Sequence, residues 1–159
     1  MATPHQAPLA TASPVSLVRP AHRGDAEQLA ALSRPFVLSG ALRERPAHLY
    51  ATHAAEFLVV ESLAGELDGC VGLKAYDGVG VLYNFCVAEG RQGAGVGGRL
   101  MRAALERAQL LRLTALFTAT AGSGALFARH GFTPARADTS TPPGWEPRRG
   151  SRVLVHPIR

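Results

Sequence analysis

The sequence predicts an α/β (α+β) fold in one domain, and three observations carry that reading. Strand-like and helix-like segments follow one another in the order βααβββαβαβ, with no internal repeat. The three strand patterns in the middle of the chain look antiparallel. A glycine-rich loop then joins a continuous apolar strand to an amphipathic helix. A chain of 159 residues, 47% apolar and 18% charged, suits a single domain with a real core. Residues 1–14 carry Pro4, Pro8 and Pro14 among small residues and are expected to form a disordered tail, leaving 15–159 for the domain.

Taken in order, 15–19 alternates as a first strand. Asp25 with Gln28 three residues on resembles a capping box, and Leu29 and Leu32 begin the apolar stripe of the helix that follows. Pro35 is expected to end or kink that helix. Pro46, whose fixed φ suits a first helical turn, opens a second short helix reaching about Ala55. Residues 57–61 (Phe-Leu-Val-Val-Glu) read as a buried strand, Gly65 as a turn, 69–76 as a third strand and Asp77-Gly78 as the next turn. Residues 81–88 form an unbroken apolar fourth strand. After the loop at 89–97, a helix from 98 to about 111 places Leu100, Met101, Ala104, Leu105, Ala108 and Leu111 at a 3.6-residue period. A fifth strand at 113–118, a short helix at 122–130, extended structure at 131–133, a Pro/Gly/Arg-rich loop at 134–150 and a closing strand at 152–156 complete the domain.

Composition removes several function classes. No run of about 18 apolar residues exists, so no membrane helix is expected. Two cysteines without C-x-x-C spacing, Cys70 and Cys86, suggest a reducing, cytoplasmic setting, and the N-terminus does not read as a secretory signal. The charge of +5 comes from sixteen arginines and one lysine, Lys74. The arginines are scattered and few aromatics interleave with them, which argues against nucleic acid and for a smaller polyanion such as a nucleotide cofactor. No metal site is expected, because His48 and His53 stand at i, i+5 with no completing ligand cluster. His130 reads as a helix-end residue.

The loop Arg91-Gln92-Gly93-Ala94-Gly95-Val96-Gly97-Gly98 reads as an anion site. Small residues let backbone approach a phosphate, and the helix N-terminus supplies free N–H groups. A P-loop would need G-K-[ST], and Arg99 follows the last glycine instead. The spacing of Gly93, Gly95 and Gly98 satisfies G-x-G-x-x-G, but the next strand ends in Phe117-Thr118-Ala119-Thr120, without the acid that would bind a dinucleotide ribose.

Gln92-x-x-Gly95-x-Gly97 matches Q/R-x-x-G-x-G/A, the pyrophosphate signature of the GNAT superfamily of N-acetyltransferases, and Phe127-Ala128-Arg129-His130-Gly131-Phe132 resembles the family's helix ending in G-F. The resemblance spans about 15–157. It implies a mixed, mostly antiparallel sheet of about six or seven strands, splayed between the fourth and fifth, with helices on both faces. It implies acetyl-CoA as cosubstrate, with pantetheine along Phe85, Cys86 and Val87 and the pyrophosphate on the amides of Gln92, Gly93, Ala94, Gly95, Val96 and Gly97. Arg91, Arg99 and Arg129 are candidates for its phosphates.

The family's usual proton donor, a tyrosine four residues before the G-F glycine, is Phe127 in this chain, and the fourth strand lacks the acidic base that many members carry there. Tyr83 and Thr120 are the catalytic candidates that remain, Tyr83 for ordering a proton-relay water, with a tyrosine packed at a sheet edge as its bland alternative. Thr118 and Ser123 are the other nearby hydroxyls. Ser39–Arg45, Glu56–Glu61 and Arg148–Val155 look like the acetyltransferase domain of N-acetylglutamate synthases. That likeness implies that Arg43 or Arg45, with Arg149 and Ser151, hold the carboxylates of an amino acid, as the planar guanidinium fork allows. Departures are Arg152 in place of a usual lysine and the lack of an amino-acid-kinase-like domain. Gly72-Leu73-Lys74-Ala75-Tyr76 also resembles small resistance-type acetyltransferases. The expectation is an N-acetyltransferase acting on a small amino acid or its analogue, with glutamate the lead and a homodimer left open. The alternative is an acyl-CoA-binding sensor that has lost its chemistry.

Overall fold

A computed structural model describes residues 17–159, so the tail expected at 1–14 and the beginning of the first strand lie outside the described residues. The sheet begins with β1 (Leu17–Pro20), antiparallel to β2 (Phe57–Glu61), and Ala21 N–H continues the pairing by donating to the Phe57 carbonyl. Arg19 ties this edge together. Its guanidinium bonds Asp25 through two nitrogens at 2.8 and 2.9 Å and Glu61 Oε2 at 2.7 Å. Asp25 also accepts the His22 N–H, so its carboxylate is turned back toward β1 and makes no capping box with Gln28. The Arg19 hydrogen bonds hold the Asp25 carboxyl below the ordinary carboxylate range.

Helix α1 (Ala26–Leu38) runs three residues past Pro35, a correction to the expected stop. The proline ring removes one donor without ending the turn, and the Pro35 carbonyl still accepts the Ser39 N–H. Helix α2 (Ala47–Thr52) is shorter than expected. Pro46 stands at its N-cap rather than inside it, and a 3-10 turn, Ala54–Glu56, leads directly into β2.

β3 (Leu67–Tyr76) and β4 (Val79–Val87) continue the antiparallel ladder, with the turn at Asp77 and Gly78 as expected. Helix α3 (Val96–Leu110) begins two residues earlier than the pattern suggested, because Val96 is buried under the sheet and commits the glycines after it to the first turn. β5 (Ala115–Thr120), α4 (Ala125–Arg129), the two-residue β6 (Thr133–Pro134) and β7 (Arg152–Pro157) follow. The seven strands lie in the order β1-β2-β3-β4-β5-β7-β6.

Alternation along the central strands feeds two apolar layers. Leu58, Val60, Val71, Leu73 and Leu82 pack with Leu100, Met101 and Ala104 of α3. Phe57, Val59 and Cys70 pack on the other face with Leu29 of α1 and Tyr50 of α2. Near the site, one residue of β4 breaks the alternation. Asn84, in the middle of β4, has φ +50, and the β3–β4 register shifts between Cys70 and Gly72. This bulge reverses the parity of the strand: Leu82 and Phe85 pack on the α3 side, Tyr83 and Cys86 on the α1 side. Asparagine is among the few residues with a side chain that tolerate positive φ.

Among the described residues β4 and β5 are the only parallel neighbours, and their pairing covers just Gly80 with Leu116 and Val81 with Phe117. Beyond Val81 the strands part. The Thr118 hydroxyl donates to the Leu82 carbonyl at 3.0 Å where the ladder ends. A cleft opens on each side of this parting.

Candidate active site

The first cleft, of about 760 Å³, is walled by Phe85, Cys86 and Val87 of β4 and floored by the glycine loop. Gln92, Gly93, Gly95, Val96 and Gly97 all line it. Gly93 and Gly95 have φ +83 and +82, and nothing lies within 4 Å of where a Cβ would stand on either, so the loop presents backbone to open space. Gly95 caps α3, whose first N–H groups have no partner within the helix and point at the cleft. Ala94 departs from the expectation. Its N–H is used by the Arg91 carbonyl at 3.2 Å, and the residue does not line the cleft. Arg91 lines it but is paired with the buried Asp68 at 3.3 Å, whereas Arg129 and His130, at the end of α4, lie along its rim. Phe127 stacks edge-to-face on Phe85 at 5.6 Å and on Phe132 at 5.5 Å, so the place of the missing tyrosine hydroxyl holds an aromatic packing unit.

The second cleft, of about 480 Å³, is assembled from side chains of distant segments. Arg43 and Arg45 come from the loop before α2, Tyr50 from α2, His53 and Glu56 from the turn before β2, Lys74 from β3, and Trp145 and Arg148 from the loop before β7. Asn84 organises its floor. Only 4% exposed, it accepts from Arg45 Nη1 at 3.0 Å and from the Tyr50 hydroxyl at 3.2 Å, and donates to Ser33 Oγ at 2.9 Å. Arg45 is thereby held over the Tyr83 ring, 5.2 Å from its centroid. Arg43 donates to the Glu146 carbonyl at 3.0 Å, which draws the 134–150 loop across the cleft mouth.

Tyr83 sits on β4 just beyond the last residue paired with β5, bonded through the ladder to β3 alone. Its partner across β3 is Gly72, and the ring lies flat across that glycine. Its hydroxyl donates to Glu56 Oε1 at 2.6 Å, and Glu56 Oε2 lies 3.2 Å from His53 Nδ1. Burial, reinforced by the Glu56 carboxylate, pushes the Tyr83 phenol well above its ordinary range, so it holds its proton and acts as donor.

The remaining expected residues are less central. Thr120 lines neither cleft, and its Oγ1 accepts the Gly122 N–H at 3.1 Å. Arg149 and Ser151 also fall outside the lining, and the Ser151 hydroxyl is turned back onto the Arg148 carbonyl. Arg148 takes the place in the cleft that Arg149 was expected to fill. Glu56, His53 and Tyr50 went unassigned from sequence, although Glu56 opens the strand motif quoted for the resemblance. Among the described residues no cluster of metal-ligating side chains is present, and no helix is long and apolar enough to cross a membrane.

A mixed sheet thus parts between two parallel strands, with bare amides on one side and converging cations on the other. Residues 53–134 match the acetyltransferase (GNAT) domain family, and the chain belongs to that family. It is 32% identical over 123 residues to the amino-acid acetyltransferase of Neisseria meningitidis serogroup A, covering 76% of this chain and 28% of that protein. It thus spans little more than a quarter of the curated relative. The N-acetylglutamate synthase of Neisseria gonorrhoeae, solved with coenzyme A and N-acetyl-glutamate, superposes with a TM-score of 0.81 at 30% identity, over 90% of this chain and 35% of that one. A Mycobacterium tuberculosis protein solved with CoA has the same fold end to end, with a TM-score of 0.81 at 22% identity over 90% of this chain and 99% of its own.

Proposed function

We propose that the protein transfers the acetyl group of acetyl-CoA to the amine of a small acidic amino acid, glutamate being the lead. The observation that carries this reading is the convergence of Arg43, Arg45, Arg148 and Lys74 on the second cleft, a set suited to two carboxylates. The names of the Neisseria relatives support it. Acetyl-CoA would lie in the first cleft, its pantetheine amides along Phe85–Val87 and its pyrophosphate on the amides of the glycine loop. The acceptor would enter from the other side, held by Arg45 and Arg148, with Arg43 released from the Glu146 carbonyl to meet it and Arg149 and Ser151 as outer support. Holding a carboxylate at two points aims the neighbouring amine at the thioester. Thr120, at the end of β5, is the hydroxyl assigned to return a proton to the leaving thiolate, from outside the lining of either cleft. The free thiols Cys70 and Cys86, 3.5 Å apart, suit a reducing cytoplasm.

Thiol release from acetyl-CoA, followed over glutamate, aspartate, glutamine and toxic glutamate analogues, tests the reading. Turnover confined to acceptors with a carboxylate supports it, and preference for amines without one rejects it. The packed Phe127 and the lack of a β4 carboxylate favour a second reading, an acyl-CoA-binding sensor. CoA binding with no thiol release across the panel would establish that instead.

A further inference from the structure

We propose that Glu56 is the proton acceptor of the acetyl transfer, reached through the Tyr83 hydroxyl, and that this relay replaces the carboxylate absent from β4. The inference rests on the acetyltransferase reading above, though not on which amine is the acceptor.

Three observations carry it. Among residues of β4 that line the acceptor cleft, Val81, Leu82, Tyr83 and Asn84, none is acidic. Of the two carboxylates on the cleft, Glu146 is exposed on the outer loop, whereas Glu56 is half-buried and bound to Tyr83 at 2.6 Å. Its second oxygen faces His53, whose side chain is 49% exposed, so the chain of groups runs from the parting of the sheet out to solvent. The other titratable and charged groups on this cleft are Arg45 over the Tyr83 ring, Lys74 over the Tyr76 ring, Arg43 and Arg148, with the buried Cys70 thiol near Tyr83.

An amino acid arrives with its amine as an ammonium, which has no lone pair for attack. One ammonium proton passes to Tyr83 Oη while the phenol's own proton passes to Glu56 Oε1, leaving a neutral amine, an intact phenol and a carboxylic acid. The nitrogen lone pair then forms the C–N bond to the thioester carbonyl, the C–S bond breaks, and the second amine proton goes to the CoA thiolate. Glu56 returns its proton to water beside His53. Glu56 acts through Tyr83 and is a positioning residue in that sense.

The test is the pH dependence of kcat/KM for the acceptor in Glu56→Gln, Tyr83→Phe and the double variant. At neutral pH each single variant should lose about a hundredfold, the scale of a general base. The loss should shrink as pH rises toward the acceptor's own amine pKa, where solvent supplies the neutral amine. The double variant should fall no further than the worse single one. CoA affinity, measured directly, should stay at wild type and reports that each variant is folded. A deficit that is constant with pH, or losses that multiply in the double variant, overturns the relay while leaving the acetyltransferase reading intact. A wild-type protein that releases no thiol with any acceptor overturns both. Should Glu56→Gln fail to bind CoA, Glu56→Asp and Tyr83→Phe decide by the same pH criterion.

Discussion

The two clefts beside the parting of β4 and β5 are made of different materials. The cofactor cleft is backbone: a loop of glycines at positive φ and the first amides of α3, contiguous over residues 91–98. The acceptor cleft is side chain: groups from the loop before α2, α2 itself, the turn before β2, β3, β4 and the loop before β7, tied through Asn84. A backbone site needs a particular local conformation, so its signature is compact in sequence and tolerant of what surrounds it. A side-chain site needs particular functional groups, which any nearby segment can deliver. On the reading proposed above, the first would hold the acetyl-CoA cosubstrate and the second would be free to change with the acceptor.

This contrast makes separable predictions. The largest effect is expected at Arg45. Arg45→Ala removes a charged hydrogen-bonding group worth about 1.5–3 kcal/mol and should raise KM for an acidic amino acid roughly ten- to a hundredfold, with acetyl-CoA KM nearly unchanged. Arg148→Ala should act in the same direction. Steady-state kinetics that show both KM values moving together would mean that the clefts are not independent. Next in size is Gly95→Glu. It places a side chain at φ +82, at a cost of about 1–2 kcal/mol, and a negative charge at the mouth of α3. CoA affinity by calorimetry should fall about tenfold or more, with acceptor KM spared. Unchanged affinity in a folded variant would move the cofactor elsewhere.

The smallest effect on catalysis is expected outside both clefts. Asp25, with a side chain 3% exposed, has its pKa lowered by Arg19, so it binds fewer protons folded than unfolded. Its contribution to stability is therefore present above the ordinary Asp value and is lost as pH falls through the lowered one. Asp25→Asn should flatten the acid side of the Tm–pH profile and lower Tm at neutral pH, with both KM values unaltered. A change in either KM would show that the β1 edge reaches the site.

The same contrast explains what was legible in the sequence. Strand 57–61 was delimited to the residue, because four consecutive buried apolar positions, three of them aromatic or β-branched, leave little choice. The glycine loop and its helix were legible as a structural unit, but that the Ala94 N–H is used inside a turn was not, since such an N–H cannot be told from a free one by sequence. Pro35 misled because proline's cost within a helix can be met by the packing around it. The parity reversal at Asn84 was invisible: a one-residue bulge leaves an apolar strand looking equally apolar, yet it decides which side chains face which cleft. Glu56 was hidden for a related reason. A carboxylate was sought on β4, where the resemblance placed it, and it arrives from the turn before β2, two strands away in the sheet. Arg149 was favoured over Arg148 by motif spacing, and only the path of the loop distinguishes neighbours in such a run.

Gly72 carries a consequence for anyone who would re-engineer this chain. A methyl group there would stand 2.5 Å from the Tyr83 ring, closer than carbon atoms approach, so the ring would have to lift and its hydroxyl would leave Glu56. Stabilisation campaigns commonly exchange strand glycines for residues of higher β propensity, and at this position the clash with the ring would lower the melting temperature as well. Under the relay proposed above, it would uncouple the proton path while leaving CoA uptake untouched. The missing side chain at 72 is thus a machined clearance, as much a part of the working tool as the parts that move within it.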